Sequence, residues 1–250
     1  MDMKNLFSTF ALFFIGMAAC FAWGHSGHVI IGKIAEKHLT DKSKEAIKSI
    51  LGDESLGEAG TWLDRVAGEK QYRGQDNWHF AYKDKDFEDN ALAKIEEYKS
   101  VLKDANSSKD DKVFALRVLI HIMEDIHNPI HCSYYKDFGG HNVKLKWAET
   151  GEKTNLHKVW DSDILHMKNL DDDAYTAELE QKADKGKFEE WSKDEPLAWV
   201  RESQSYLDQV YQFSDKKVDK AYYEKNIPVI DKRLTQAGIR LAALLNEIFA

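Results

Sequence analysis

The stretch LIHIMEDIHNPIH at residues 119–131 is the part of the sequence that best indicates the fold. Apolar residues in and before it recur at the spacing of one helical face, which predicts a buried helix over residues 110–127. Pro129 ends that helix, because proline disfavours the helical conformation of the residue before it. His121 and Asp125 are four positions apart, so both project from the same face of the helix. A carboxylate on such an apolar helix needs a partner, and a metal ion is the strongest one available.

Helical patterns also dominate the rest of the chain. Thr40 is a predicted helix N-cap, Ser192 and Glu195 have the spacing of a capping box, and Pro196 suits a first helical turn. Alternation at Val143, Leu145 and Trp147 predicts one small hairpin between residues 133 and 151. The prediction is an all-α fold with at most one short β-hairpin. Its other helices are expected over residues 29–39, 40–51, 89–103, 156–167, from the capping box to about 213, and 228–249.

A second histidine–aspartate pair repeats the spacing of the first. His157 and Asp161 are again four positions apart on a predicted helix. One such pair is usually a surface hydrogen bond, but two on apolar helices favour metal binding. His131, His79 and Asp64 are further candidate ligands, although in isolation Asp64 could be a helix cap and His79 a hydrogen-bonded core residue. Nitrogen and oxygen donors without a thiolate suit Zn²⁺ in hydrolytic sites.

The first 22 residues have the pattern of a secretory signal peptide. Residues 6–20 are almost wholly apolar, and small residues precede a predicted cleavage site before Trp23. The apolar run is shorter than the roughly 20 residues of a membrane span, which disfavours an anchor. A lipoprotein cleaved before Cys20 is a second alternative. The chain is therefore expected to be secreted or periplasmic, without a membrane span in its mature form, and to keep Cys132 as a free thiol.

Composition sets further limits on domain number and function. The chain has 250 residues, 3 prolines and no linker-like or repeated segment, so residues 23–250 are predicted to form one domain. Its net charge of -8 disfavours a nucleic-acid binder that relies on bulk electrostatics. If the protein handles nucleic acid, metal ions must supply the local positive charge.

Several motifs, taken in order, resemble the S1/P1 nuclease family. The chain carries WGHSGH at residues 23–28, WLD at 62–64, WHF at 78–80, the central stretch at 119–131, a Gly-Gly turn at 139–140 and TNLHKVWD at 154–161. The C-terminal third matches only as helical packing. The resemblance implies a helical phospholipase C/P1 nuclease-like fold around three zinc ions.

The resemblance also implies a ligand set. One zinc would be held by Asp64, His79, His121 and Asp125, and a second by His131, His157 and Asp161. A third would be held by the α-amine and carbonyl of Trp23 together with His28, with Asp125 bridging the first and third ions. Acylation at Cys20 would bury the Trp23 nitrogen in a peptide bond, which argues against the lipoprotein.

The implied activity is cleavage of single-stranded RNA and DNA to 5′-phosphorylated products, with a 3′-nucleotidase activity. Asp64 would orient or deprotonate the attacking water, and Phe80 would stack on a base. Asp163 is a candidate base contact. The family often has a basic residue where this chain has Ala67, so the phosphate contact is left open among Arg65, Lys70 and Arg73. No stable protein partner is implied.

Two alternatives are a zinc-dependent phospholipase C and an exported zinc-binding protein without activity. The short spacing from Trp23 to His28 and the closing Asp161 disfavour the phospholipase. The intact ligand set and Asp64 disfavour the inactive protein. Five further histidines match no ligand position and are predicted to lie at the surface or beside the ligands: His25, His38, His127, His141 and His166.

Overall fold

The computed structural model describes residues 23–250, so the predicted signal peptide and Cys20 lie outside the described residues. Helices make up most of this part of the chain, which confirms the all-α class. They are α1 (Gly24–His38), α2 (Asp41–Leu51), α3 (Leu56–Gly60), α4 (Trp62–Val66), α5 (Ala91–Lys103), α6 (Lys109–Asp125), α7 (Leu156–Lys158), α8 (Ile164–His166), α9 (Asp172–Lys182), α10 (Phe188–Trp191), α11 (Pro196–Ser205), α12 (Leu207–Val210) and α13 (Lys220–Ile248). A π-helical turn, Val159–Asp163, joins α7 to α8, and the strands are β1 (Lys144–Trp147), β2 (Lys153–Asn155) and β3 (Lys217–Val218).

Local capping explains where several helices begin. The Thr40 side chain accepts a hydrogen bond from the Ser43 amide, as predicted for the N-cap of α2. Ser108 caps α6 in the same way, and two aspartates in the first turn favour the positive end of the helix dipole. α6 thus extends from Lys109 to Asp125, close to the predicted bounds, and every residue from Leu119 to Asp125 is buried.

The predicted hairpin is present, but a third strand lies beside it. β1 and β2 pair antiparallel, with Leu145 opposite Thr154. β3 adds to the other edge of β1 in parallel, with Trp147 opposite Val218. The sequence did not reveal β3, because two residues are too few to show an alternating pattern.

Two predicted helix starts near the C-terminus are wrong. Ser192 is not a cap, since its hydroxyl donates to the Glu189 carbonyl, and α11 begins at Pro196 behind an extended Glu195. This helix also ends at Ser205 instead of about residue 213, and α12 follows it. α13 begins eight residues before Pro228, behind the N-cap Asp219. Pro228 is tolerated inside the helix because it faces solvent, where water can hydrogen-bond the carbonyl that loses its partner.

Close helix packing positions α1 beside α6. A side chain at Gly32 would place a Cβ 2.6 Å from the Cα of Gly57, so the backbones of α1 and α3 can touch only with glycine there. Ile34 of α1 packs directly on Gly238 of α13. These contacts hold the N-terminal end of α1, with His28, over the buried helix α6. Within residues 23–250, no helix combines the length and the apolar character that crossing a bilayer requires.

Candidate metal centre

All eight side chains predicted as metal ligands are buried in one region between α1, α4, α6 and the segment that contains α7. They fall into three groups, within each of which the ligand atoms lie within 4.8 Å of one another: first Asp64, His79 and His121; second His131, His157 and Asp161; and third His28, His121 and Asp125, so that the first and third groups share His121. Residues up to 133 positions apart in the chain (28 to 161) therefore converge, and the groupings follow those expected from the sequence.

The first group surrounds the carboxylate of Asp125. His79 Nδ1 lies 3.0 Å and His121 Nε2 lies 3.2 Å from Asp125 Oδ2, and the two nitrogens are 2.9 Å apart. Asp64 Oδ1 lies 3.6 Å from His121 Nε2. Two imidazole nitrogens and two carboxylates thus point toward one location, the arrangement that a tetrahedral zinc ion requires.

The second group forms where the chain turns after α6. The 3-10 helix Pro129–Cys132 returns His131 toward α6, and the Asn128 side chain caps this turn. His131 Nε2 lies 3.5 Å from Asp161 Oδ1, and His157 Nε2 lies 2.7 Å from Asp161 Oδ2. Asn128 donates a hydrogen bond of 2.9 Å to Asp161 Oδ1, which fixes the carboxylate.

The third group includes the start of the described chain. His28 Nε2 lies 3.6 Å from Asp125 Oδ1 and 4.0 Å from Asp64 Oδ2. Trp23 is buried, its indole Nε1 donates to the Glu124 carbonyl at 2.8 Å, and its own carbonyl accepts from the Gly27 amide. A free α-amine at Trp23 depends on cleavage after residue 22, which lies outside the described residues.

Backbone carbonyls determine which ring nitrogen of three histidines faces the centre. The Nδ1 atoms of His121, His131 and His157 hydrogen-bond the carbonyls of Gly60 at 2.5 Å, His79 at 2.8 Å and Gly139 at 2.7 Å. Each Nδ1 therefore carries the proton, and each Nε2 is left with a lone pair directed inward. Metal-binding histidines are commonly oriented in this way.

Several buried nitrogen and oxygen atoms of the centre have no hydrogen-bond partner, which is the environment expected of atoms that bind cations. Buried polar atoms normally have hydrogen-bond partners, and atoms without one need another explanation. Nitrogen and oxygen donors of this kind suit Zn²⁺. Among the described residues, six of the buried side-chain atoms without a hydrogen-bond partner belong to predicted ligands: His28 Nε2, Asp64 Oδ1, Asp125 Oδ1, His131 Nε2, His157 Nε2 and Asp161 Oδ2.

The ionisable side chains of the centre are buried and lie close together, and this shifts their pKa values. Burial raises the pKa of Asp64 to about 7, which means that its carboxylate needs a cation to remain charged in neutral solution. Burial lowers the pKa of His121, but the charges of Asp125 and Asp64 outweigh that effect and raise the pKa to about 9. Without metal ions, these side chains would bind protons, and divalent cations that bind there would displace those protons.

The predicted substrate residues have different environments. Phe80 is only 4 % exposed, and its ring is nearly parallel to those of His131 and Tyr82, at 4.8 and 4.6 Å. This burial argues against base stacking on Phe80. Arg65 is exposed and lies 3.9 Å from Glu54, so it remains available to a ligand. Asp163 accepts from Thr154 at 3.0 Å and pairs with Lys158 at 3.1 Å, so both of its oxygens are already engaged.

Two exposed aromatic residues near the centre were missed by sequence reasoning. Phe138 is 52 % exposed and Tyr135 is 36 % exposed, and their ring centroids are 5.3 Å apart. Phe138 has a left-handed backbone conformation directly before Gly139, whose carbonyl orients His157. In the sequence, the only indication of this aromatic surface was Phe138, an aromatic residue directly before the Gly-Gly turn.

Glu124 is the other residue that sequence reasoning missed. It is fully buried, and Oε2 lies 2.5 Å from His28 Nδ1. Burial, and then the charge of Asp125, raises the pKa of Glu124 well above its usual value. The signal was its position beside Asp125 in the stretch Leu119–Asp125 of α6, every residue of which is buried.

The remaining histidines and Cys132 differ in burial. His25 and His166 are exposed, His38 is half-buried, and the His141 ring stacks on His157 with centroids 3.6 Å apart. Cys132 is a buried free thiol whose pKa is raised by burial to about 12. This agrees with the prediction of a structural thiol.

The position of His127 is a correction to the sequence prediction. It is neither on the surface nor beside the ligands, but fully buried under α13. Its Nδ1 lies 2.9 Å from the Met123 carbonyl, and Nε2 lies 3.3 Å from Arg240. Burial, and then the charges of Arg233 and Arg240, lowers the pKa of His127 well below its usual value, which keeps it neutral.

Comparison with known proteins agrees with this geometry. A family model described as S1/P1 Nuclease matches residues 23–250. Endonuclease 2 of Arabidopsis thaliana is 30 % identical over an alignment that covers 91 % of this chain and 90 % of the plant protein. Nuclease S1 of Aspergillus oryzae is 24 % identical, with 91 % and 92 % covered, and Nuclease P1 of Penicillium citrinum is 23 % identical, with 90 % and 97 % covered. The chain therefore belongs to the S1/P1 nuclease family.

Proposed function

We propose that this protein is an exported, zinc-dependent endonuclease that hydrolyses phosphodiester bonds of single-stranded RNA and DNA to 5′-phosphorylated products, with a 3′-nucleotidase activity. The observation that supports this most strongly is the convergence of buried, unpaired imidazole nitrogens and carboxylate oxygens on one centre. Family membership and the names of the similar proteins, which are all nucleases, favour nucleic acid as the substrate.

The proposed centre holds three zinc ions. Asp64, His79, His121 and Asp125 bind the first, and His131, His157 and Asp161 bind the second. His28 and the Trp23 α-amine and carbonyl bind the third, with Asp125 shared, because its Oδ1 faces His28 while Oδ2 faces His79. This third site requires a signal peptide at residues 1–22 and cleavage before Trp23.

In the proposed reaction, Asp64 acts on the attacking water. Zinc bound in the centre would lower the pKa of water to about 7 and offset the charge of the phosphate. Asp64 has one oxygen toward His121 and the other toward His28, so it can accept the proton of a water between these groups. His131, His157 and Asp161 form the neighbouring group, and a zinc ion held there would stabilise the leaving 3′ oxygen.

Single-strand preference would come from the exposed rings of Phe138 and Tyr135. An aromatic face next to the centre can stack on a base only when that base has left its duplex. Since Phe80 is buried, Phe138 is the better candidate for this contact. Arg65, exposed on α4 directly after Asp64, is a candidate phosphate contact, and Asp163 supports the hairpin through Thr154.

The decisive experiment uses the mature chain that begins at Trp23. We expect about three zinc ions per chain, cleavage of single-stranded oligonucleotides in preference to duplexes, and loss of cleavage with a chelator. A matched protein with one glycine before Trp23 should bind one ion fewer, because its α-amine is displaced. Hydrolysis of phosphatidylcholine instead of oligonucleotides would indicate a phospholipase C, and zinc binding without either activity would indicate an inactive zinc-binding protein.

A further inference from the structure

Glu124 joins the N-terminal segment to α6 at two points. Its backbone carbonyl accepts the indole N–H of Trp23 at 2.8 Å, and its side-chain Oε2 hydrogen-bonds His28 Nδ1 at 2.5 Å. Trp23 and His28 are, together with the shared Asp125, the residues proposed to bind the third zinc. One residue of α6 therefore contacts both parts of that site without being a ligand in it.

The bond to Glu124 determines the orientation of the His28 ring. A zinc ion on Nε2 would leave the ring proton on Nδ1, where the Glu124 carboxylate at 2.5 Å can accept it in a hydrogen bond. Nε2 then faces Asp125 Oδ1 at 3.6 Å, and the ring stacks on His121 with centroids 4.4 Å apart. The other three histidines with an inward Nε2 are oriented by backbone carbonyls, so His28 alone of these four depends on a side chain.

Gly60 provides the space that the Glu124 carboxylate occupies. A Cβ at position 60 would lie 2.6 Å from Glu124 Oε2 and 3.3 Å from Oε1, and its three nearest atoms all belong to Glu124. The Gly60 carbonyl meanwhile accepts from His121 Nδ1. Gly60 and the Glu124 carboxylate are thus in direct contact, and the carboxylate is the group that a methyl at position 60 would meet first.

We propose that Glu124 is a positioning residue that assembles the third metal site, acting through His28 and Trp23, and that Gly60 is required for it to do so. This inference rests on the proposed three-zinc centre. It assigns Glu124 no contact with substrate or metal. Loss of the carboxylate should therefore weaken the binding of one zinc ion and leave the affinity for the other two unchanged.

The test measures zinc binding to the mature chain by competition with a chromogenic chelator, so it does not depend on activity. Glu124→Ala should weaken one of the three ions by about 10–100-fold, the usual effect of removing an orienting partner. Glu124→Gln should stay close to the native protein, since its amide oxygen can still accept from His28. Gly60→Ala should resemble Glu124→Ala, because the added methyl displaces the carboxylate.

A double-variant comparison separates this role from a general loss of structure. In the Glu124→Ala background, Gly60→Ala should have no further effect, since the methyl then meets no carboxylate. Glu36→Ala is the matched control: Glu36 also holds α1, through a 2.8 Å bond from the Leu56 amide, but it touches no ligand. This control should retain three ions at native affinity.

Three outcomes would overturn the inference: Glu124→Ala keeping all three ions at native affinity, Glu124→Gln losing as much as Glu124→Ala, or loss of all ions together with the helical circular dichroism signal. Failure of the proposed function has a different signature. In that case the native chain itself, without any substitution, would bind fewer than three zinc ions.

Discussion

At the level of single residues, the centre depends on hydrogen bonds that lie outside it. Each inward Nε2 is fixed because the opposite Nδ1 donates to a carbonyl or to Glu124. Asp161 is held by Asn128, four residues after Glu124 on the chain. The residues that orient the candidate ligands are therefore required at particular positions, as the ligands themselves are. Substitutions of the two kinds should have separable effects.

Asp64→Asn should separate chemistry from metal binding. The amide keeps one oxygen for the zinc but cannot accept a proton, so we expect kcat to fall by about 10²-fold or more. Zinc content, measured by elemental analysis, should stay near that of the native protein. Glu69→Gln, an exposed carboxylate a few residues away, should change neither quantity. A loss of zinc that parallels the loss of activity would restrict Asp64 to the role of a ligand.

Phe138→Ala and Phe80→Ala should affect different quantities. Phe138 is 52 % exposed, so its truncation should leave Tm nearly unchanged but raise KM for oligonucleotides, by the equivalent of about 1–3 kcal/mol of stacking. Phe80 is buried, so its truncation should lower the free energy of unfolding by about 3–5 kcal/mol. Thermal unfolding and steady-state kinetics on both variants make the comparison. If Phe138→Ala has the KM of the native protein, Phe138 does not stack on a base of the substrate.

At the level of elements, α6 is held from its C-terminal side by α11 and α13. Arg233 donates to the His127 carbonyl at 3.0 Å, and Ser203 donates to the Ile126 carbonyl at 2.6 Å. Glu202 of α11 pairs with both Arg233 and Arg240 at 2.5 and 2.8 Å. Two buried arginines are stabilised by this carboxylate, which fixes the turn that follows Asp125.

Glu202 makes the stability of this layer dependent on pH. Burial opposes ionisation, but the charge of Arg233, the Gln236 hydrogen bond and Arg240 outweigh it and lower the pKa of Glu202 to about 2. Because the folded pKa lies below the ordinary 4.5, the stabilisation is complete above about pH 4.5 and is lost as the pH falls toward 2. Glu202→Gln should cost about 1–2 kcal/mol at neutral pH after allowance for partial exposure.

Urea unfolding of the native protein and Glu202→Gln at several pH values tests this dependence. The difference in free energy of unfolding between the native protein and Glu202→Gln should shrink from pH 5 to pH 2, since the native carboxylate becomes protonated over that range. Any release of bound metal at low pH would affect both proteins equally and would cancel in the difference. A difference that does not change with pH would show that the charge of Glu202 does not stabilise the fold.

At the level of the whole molecule, the centre links segments that are distant in sequence. Its side chains come from α1, α4, the segment near Trp78, α6, the Pro129 turn and the helix around Trp160. In a chain whose described part has one buried cysteine and no disulfide, metal ions would provide the cross-links between these segments. Removing the ions would leave several carboxylates and imidazoles buried side by side.

Chelation should therefore lower the stability of the entire protein. Each zinc site contributes about 4 kcal/mol when free zinc is 1,000 times Kd, so Tm should fall by many degrees with a strong chelator and recover when zinc is added. Differential scanning calorimetry gives the shift. Magnesium added in place of zinc should not restore Tm, because a site rich in imidazole suits zinc better. An unchanged Tm after verified zinc removal would contradict a structural contribution.

The sequence by itself determined most of the helices and identified the side chains that are candidate metal ligands. Periodicity identifies which residues share a face, and the spacing of His121 with Asp125 and of His157 with Asp161 is local information that a helix preserves. Capping by Thr40 was equally local. The predicted cap at Ser192 and the predicted helix start at Pro228 were wrong, because α11 begins at Pro196 and α13 begins behind the N-cap Asp219.

Only the tertiary structure decided how distant side chains meet. The fit of Gly60 to Glu124, the burial of Phe80 between His131 and Tyr82, and the contact of His127 with Arg240 each join residues far apart in the chain. Such contacts depend on how helices pack against one another, and periodicity carries no information about the identity of the residue on the opposite helix. The candidate ligands were therefore visible in the sequence, whereas the residues that orient them were not.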